Sequence, residues 1–302
     1  MITGANGFVG SHIARGLSGC GYRLFLVDQV FDSGTKAFWA KQSATTLIEA
    51  DARALPSLLD AHIDAVIHGA FITATPEETG STPEAHYRVN VDSAVSMLAW
   101  AEVHKVKRFL FLSSAGVFSS EQTGRLTETT LPSPKGLYAV AKREIEELLQ
   151  TLREDGRRDL ITLRFGNLYG PDERARASRP RTSLVQRMVD EVVRTGGITV
   201  PNETARDWTF APDLAGVIDC ILKTPQTRHS LYHVVSGEAL TAFEIAQKVA
   251  DESPVTLNLT DEHTRLRPPL TSERLGEFGF SDWTPFDSGL AQTLAGGLEV
   301  SL

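Results

Sequence analysis

Thr3-Gly4-Ala5-Asn6-Gly7-Phe8-Val9-Gly10 decides the fold, because its glycines stand three apart and run straight into a helical pattern. Glycine lets the backbone turn tightly, approach a pyrophosphate and pack a helix against a sheet, while the helix N-terminus favours the anion. Gly4, Asn6, Gly7, Phe8, Val9 and Gly10 are therefore candidates for a dinucleotide site, with an ordinary turn as the alternative. Asp28, at the C-terminal end of the next apolar run, favours the first reading. A carboxylate there accepts hydrogen bonds from the adenosine ribose hydroxyls and repels a 2′-phosphate, which selects NAD over NADP. The alternative is a strand-ending Asp that caps a turn. Only Met1, Ile2 and Thr3 precede the glycines, where a buried first strand has about five residues. Either that strand is short or residues are missing before Met1.

Outward from this motif, strands expected at 24–28, 46–49, 65–68, 109–113 and 160–164 alternate with helices at 8–20, 56–61, 83–104 and 136–154. Such alternation is that of a parallel sheet covered by helices on both faces. Regularity is lost after residue 170: a polar, Arg-rich loop (171–181) leads to a helix at 183–194 and a short apolar run at 198–201. A helix at 213–222 and a strand at 231–235 return to the sheet, followed by a helix at 242–250 and an irregular, Pro-containing tail. The fold class is α/β, a Rossmann-type doubly wound parallel sheet with a smaller, discontinuous C-terminal substrate-binding domain. Residues 1–169 with about 206–235 are expected to bind NAD, and 170–205 with 236–302 to bind substrate. The polar loops 73–82 and 171–181 are expected to border that substrate.

Composition narrows the function classes. The 302 residues are 41% hydrophobic and 23% charged, which describes a globular chain and excludes disorder, collagen and small disulfide scaffolds. A net charge of -8 with no run of Lys or Arg argues against a nucleic-acid partner. The longest apolar runs are strand-length, far short of the roughly 20 residues of a membrane-spanning helix, and no signal peptide is recognisable, so a cytoplasmic location is expected. Cys20 and Cys220 have neither CxxC spacing nor a His cluster, so no metal site is expected, and their apolar settings read as buried thiols.

Tyr138 and Lys142 are four apart and therefore share one face of a helix. A lysine charge at that spacing lowers a phenol that ordinarily titrates near pH ~10, making it a usable acid/base, while also reaching a cofactor ribose. The alternative is a surface pair. Ser113 and Ser114, ending an apolar strand, place hydroxyls at the C-terminal edge of a parallel sheet, where ligands bind. There the alternative is a serine capping the next turn.

Together these motifs resemble the extended short-chain dehydrogenase/reductase superfamily, specifically the NAD-dependent epimerase/dehydratase family. Asp51-Ala52-Arg53 is similar to the family's adenine-contacting Asp, and His68-Gly69-Ala70-Phe71 to its turn beside the cofactor. Asn90-Val91 resembles its structural Asn, Arg164 to Pro171 its R-x-x-N-x-Y-G-P segment, and Arg206 to Asp213 its R-D-F-x-x-V-x-D segment. The resemblance implies Tyr138 as catalytic acid/base, Lys142 as its tuner and ribose anchor, and Ser114 as the group that polarises the substrate oxygen. It adds Asp51, Ala52, Gly69, Ala70, Phe71, Asn90, Ser113 and Phe165 to the cofactor site, and Asn167, Arg206 and Arg267 to the substrate site. For Arg206 the implied partner is a substrate diphosphate, and the alternative a salt bridge to Asp207 or Asp213.

Departures from the pattern restrict the reaction. Ala115 and Gly116 follow Ser114 where dehydratases and decarboxylases of the family carry an acidic residue, so neither reaction is expected. Phe118-Ser119 replaces the usual Tyr-Gly, residues 201–205 lack the glycine-rich turn of nucleotide-sugar members, and 265–269 only loosely match their late arginine motif. The expected function is epimerisation of a nucleotide-activated sugar by hydride transfer. Alternatives are an NAD-dependent dehydrogenase or reductase of a small sugar, sugar acid or other alcohol, and a non-catalytic dinucleotide-binding protein. The resemblance also implies a homodimer through helices 83–104 and 138–154, whose apolar stripes serve equally for packing on their own sheet.

Overall fold

The computed structural model describes residues 1–55, 61–153, 156, 158–252 and 255–299; most of the helix expected at 56–61 lies outside them. In chain order the elements are β1 (Ile2–Thr3), α1 (Phe8–Ser18), β2 (Leu24–Asp28), α2 (Ser33–Trp39), β3 (Thr45–Glu49), β4 (Ala65–His68), α3 (Pro76–Thr79), α4 (Pro83–Val103), β5 (Arg108–Ser114), α5 (Leu137–Arg153) and β6 (Asp159–Phe165). There follow β7 (Asn167–Tyr169), α6 (Leu184–Thr195), β8 (Gly197–Glu203), β9 (Arg206–Phe210), α7 (Leu214–Lys223), β10 (Leu231–Val234), β11 (Ala239–Leu240), α8 (Ala242–Glu252), β12 (Thr256–Thr264) and α9 (Phe286–Glu299).

Seven strands form a parallel sheet in the order β10-β6-β5-β4-β1-β2-β3. The order reverses between β1 and β4, and a crevice opens at the carboxyl ends of strands where such a reversal occurs. β1 has only two residues, yet it is paired on both sides, Ile2 with Leu26 and with Ile67. One face of the sheet packs against α1 and α7 through Ile13, Leu17, Leu214, Val217 and Ile221. The other packs against α4 and α5 through Ala94, Met97, Leu98, Ile145 and Leu149. Helix starts are set by side chains at their caps: Asp32 for α2, Thr82 before Pro83 for α4 and Ser183 for α6 each accept an amide of the first turn.

A second layer contains the three-stranded sheet β11-β9-β7 and the parallel pair β12-β8, with α6, α8 and α9 around a core of Tyr169, Trp208, Phe210, Ile245 and Phe286. Of residues 206–235, β10 belongs to the large sheet and α7 packs against it, whereas β9 pairs with β7 and β11.

Two expectations need correction. The tail is not irregular, since it holds β12 and α9. Cys20 is exposed, because α1 ends at Ser18 and the thiol lies in the following turn, its Sγ donating to the Gly16 carbonyl at 3.4 Å. Cys220 is half-buried against the α1–α7 core.

Three buried histidines make the fold acid-sensitive. Burial holds His12 at about 4 and His68 at about 3, against an ordinary 6.5, and lowers His233 as well. Below pH ~6.5 the unfolded chain binds protons that these folded imidazoles refuse, so stability falls as pH falls. The loss should be on the order of 1 kcal/mol per pH unit for each histidine until its folded value is reached. Denaturant midpoints at pH 7 and pH 5 check this, and equal midpoints would refute it.

Candidate active site

The glycine loop is fixed by contacts that no side chain could share. Gly4 has φ +69, and a Cβ there would lie 2.7 Å from the Gly69 carbonyl carbon and oxygen. A Cβ on Gly10 would lie 2.1 Å from the Gly4 carbonyl oxygen. Gly7 stands at the N-cap of α1, where no side chain caps the helix, so first-turn amides are left for an anion.

Two cavities meet at this loop. The first, about 370 Å³, is lined by Gly4, Gly7, Phe8, Val9, Gly10, Gly69, Phe71, Ser113, Ser114, Tyr138, Lys142, Phe165, Asn167 and Arg206 among others. The second, about 300 Å³, is lined by Asp28, Asp51, Ala52, Ala70 and Asn90 among others. Gly4, Gly7, Gly69, Phe71 and Ser178 line both.

Asp28 takes one backbone amide on each oxygen, from Asn6 at 2.9 Å and Gln29 at 2.8 Å. Burial raises its pKa and these amides oppose the rise. Each oxygen keeps a lone pair for a hydroxyl donor. Asp51 is held by the Arg53 guanidinium, which lowers its pKa. Asn90 clasps the backbone of Ile72, accepting at 2.8 Å and donating at 3.1 Å. Asn6 lines neither cavity, because its side-chain amide donates to the Val30 carbonyl at 2.7 Å. It shapes the loop after β2 instead. The paired cavities, the glycine cradle between them and the Asp28 carboxylate fit NAD.

At the other end, α5 presents Tyr138 and Lys142, and β5 ends in the two serines. The half-buried Tyr138 ring stands edge-on to Phe71, centroids 5.5 Å apart. Burial pushes its phenol up, while a hydrogen bond with Ser114 and the charge of Arg179 pull it down. The expected effect of Lys142 on the phenol is absent from these influences. The ammonium faces elsewhere: Nζ donates to the Leu112 carbonyl at 2.6 Å and sits 3.6 Å from the centre of the Phe71 ring, against 5.7 Å for the Tyr138 ring. Burial lowers Lys142 to about 7, and Glu146 opposes the drop. Ser114 Oγ also accepts from the Gly116 amide at 3.0 Å, so it caps the following turn and meets the phenol at once. Ser113 Oγ is committed to Glu146 at 2.6 Å.

Of the expected substrate contacts, Asn167 and Arg206 line the first cavity and Arg267 lines neither. Arg206 pairs with Glu203 rather than Asp207 or Asp213, and its Nε is buried without a partner. Arg267 is turned inward, its Nη1 donating at 2.7 Å to the buried Asp207, which also accepts the amides of Leu270 and Asn167. Replacing Arg267 with methionine should therefore cost roughly 3 kcal/mol of stability by stranding that carboxylate. Melting curves with and without UDP test this. The UDP-induced shift should survive, and its loss would restore Arg267 to the ligand.

Sequence reasoning missed Arg174, Arg176, Arg179 and Arg187, which also line the first cavity. The density of arginine in 171–181 was the available signal for the first three. For Arg187 there was none, since it stands on α6 as one polar residue among several.

Residues 1–235 match the NAD dependent epimerase/dehydratase family. An uncharacterized UDP-glucose epimerase of Bacillus subtilis (strain 168) is 24% identical over 279 residues, covering 87% of this chain and 85% of that protein. The UDP-glucose 4-epimerase of Dictyostelium discoideum is 31% identical over 179 residues, 56% of this chain and 52% of the relative, so the match spans about half its length. The crystal structure of the Thermus thermophilus UDP-glucose 4-epimerase in complex with NAD superposes with a TM-score of 0.81 at 22% identity, covering 98% of both chains. That likeness establishes the fold. The chain belongs to the NAD dependent epimerase/dehydratase family and is an NAD-dependent enzyme of that family.

Proposed function

We propose that the chain epimerises a nucleotide-activated sugar, with Tyr138 as acid/base. The observation that carries this reading is the lining of the first cavity: Ser114, Tyr138 and Lys142 beside Arg174, Arg176, Arg179, Arg187 and Arg206, with no carboxylate among the described residues. A chain of net charge -8 that gathers five arginines in one cavity is prepared for an anionic ligand. A diphosphate suits guanidinium geometry.

Gly4, Gly7, Phe8, Val9, Gly10, Asp28, Asp51, Ala52, Gly69, Ala70, Phe71 and Phe165 would hold NAD, with the seven-stranded sheet and its covering helices as its domain. When bound, NAD supplies a reversible hydride acceptor at the sugar carbon. Tyr138 Oη accepts the hydroxyl proton and later returns it. Ser114 orients the reacting oxygen, and Lys142, poised near neutrality, stands by for a ribose hydroxyl. Arg206 and Arg187 grip the diphosphate, and Asn167 faces the sugar. The missing carboxylate supports epimerisation over dehydration, which needs a second acid. A cytoplasmic homodimer through α4 and α5 belongs to the same reading, supported by Val95 standing 45% exposed on α4.

Incubation with UDP-glucose and NAD tests the proposal. Formation of UDP-galactose without accumulation of NADH is expected. Steady NADH release from a small sugar or sugar acid, unaffected by UDP, would instead support a dehydrogenase, a reading favoured by the inward turn of Arg267.

A further inference from the structure

Residues 171–181 cross the cleft where its two cavities join. On the α1 side, His12 Nε2 donates to the Pro171 carbonyl at 3.1 Å and Arg15 pairs with Asp172. On the β4 side, the amides of Thr73 and Ala74 both donate to the Ser178 carbonyl, at 2.9 and 3.0 Å, and Arg181 pairs with Glu78 at 3.0 Å. Arg176 and Arg179 exchange backbone hydrogen bonds of 2.9 Å, closing a tight turn between these anchorages.

That turn brings Arg176 and Arg179 to the wall of the cavity that the glycine loop also lines. The charge of Arg176 acts on the Asp28 carboxylate, at the adenosine end. Arg179 lies over the Phe8 ring, 5.1 Å from its centre, at the first residue of α1, and its charge reaches the Tyr138 phenol. Arg179 Nη2 is held by the buried Glu173 at 2.5 Å, while its Nη1 is buried without a partner. A pyrophosphate carries two negative charges, and beside Asp28 a third is already present. Backbone amides of the glycine loop supply hydrogen bonds to such a group but no countercharge.

We propose that this strap is the opposing half of the pyrophosphate site: Arg176 and Arg179 clamp the phosphates against the glycine loop, held there by the Ser178 tether. The inference rests on NAD being this chain's cofactor.

Arg176→Gln and Arg179→Gln, made separately in the full chain, test the clamp by calorimetric titration with NAD, adenosine and UDP. Each substitution should weaken NAD by about 10- to 100-fold, the worth of a hydrogen bond to a charged group, and speed its release. Adenosine, which lacks phosphates, should bind as it does to the unaltered chain. Arg176 is exposed, so its variant separates lost binding from lost folding, with the unliganded melting temperature as control. Unchanged NAD affinity in both variants overturns the clamp. So does an equal loss of adenosine binding, or a loss of UDP binding with NAD binding intact, which would give the arginines to the substrate. If the unaltered chain binds no NAD, the cofactor assignment fails instead.

Discussion

Tyr138→Phe is expected to lower kcat by about 10²- to 10⁴-fold, the range that positioned proton transfer supplies, with NAD affinity unchanged. The phenyl ring keeps its edge-on packing against Phe71, and Ser114 keeps the amide of Gly116. Only the hydroxyl is lost. Because burial raises the phenol while Ser114 and Arg179 lower it, and the phenol must be deprotonated to take the sugar hydroxyl's proton, Ser114→Ala should shift the acidic side of the active range upward as well as slow the reaction. Turnover at the unaltered rate in Tyr138→Phe would remove this residue from the mechanism.

Glu146→Ala is expected to cost about 3–5 kcal/mol of stability, the price of breaking a buried ion pair by removing one partner. Glu146 and Arg164 each expose 1% of their side chains and meet at 2.6 and 2.9 Å, and Ser113 adds a third hydrogen bond. Truncation leaves the guanidinium buried between α5 and β6 with little to answer it. The double replacement Glu146→Leu with Arg164→Met should recover most of the loss, since apolar side chains of similar volume need no partner. Chemical denaturation measures both. A single variant as stable as the parent would show that the pair contributes nothing. Lys142, one turn earlier, would also lose the carboxylate that opposes its burial.

Much of the fold is legible because β2, β4, β5 and β6 are apolar runs, and strands covered on both faces have few alternatives. Tyr138 and Lys142 are legible for a different reason, since helical spacing alone puts them on one face. β12 is obscured by its second half: Thr260, Asp261 and His263 are polar, as an exposed two-stranded ribbon permits. α9 is obscured by Gly289, Gly296 and Gly297, which lower helix propensity. Packing explains the first of these, because a Cβ on Gly289 would lie 2.5 Å from the Tyr169 hydroxyl. Side-chain direction is the least legible property. Nothing in the order of residues shows that Arg267 turns to Asp207, that Arg206 takes Glu203, or that Lys142 faces Leu112 and Phe71 rather than the phenol. The first and last depend on segments brought together only by the finished fold, whereas Arg206 and Glu203 stand three residues apart and meet across the turn between β8 and β9.

The route of the chain carries a last consequence. From β6 it leaves the large sheet for β7, comes back after β9 to form α7 and β10, and departs again for β11. It then returns so that Leu275 and Phe278 join Leu214 and Val217 in the α1–α7 core, before α9 closes the other layer. Two lobes stitched by so many crossings have no single hinge about which to swing, and they share one melting transition rather than two. Traffic into and out of the cleft is therefore a matter for its loops.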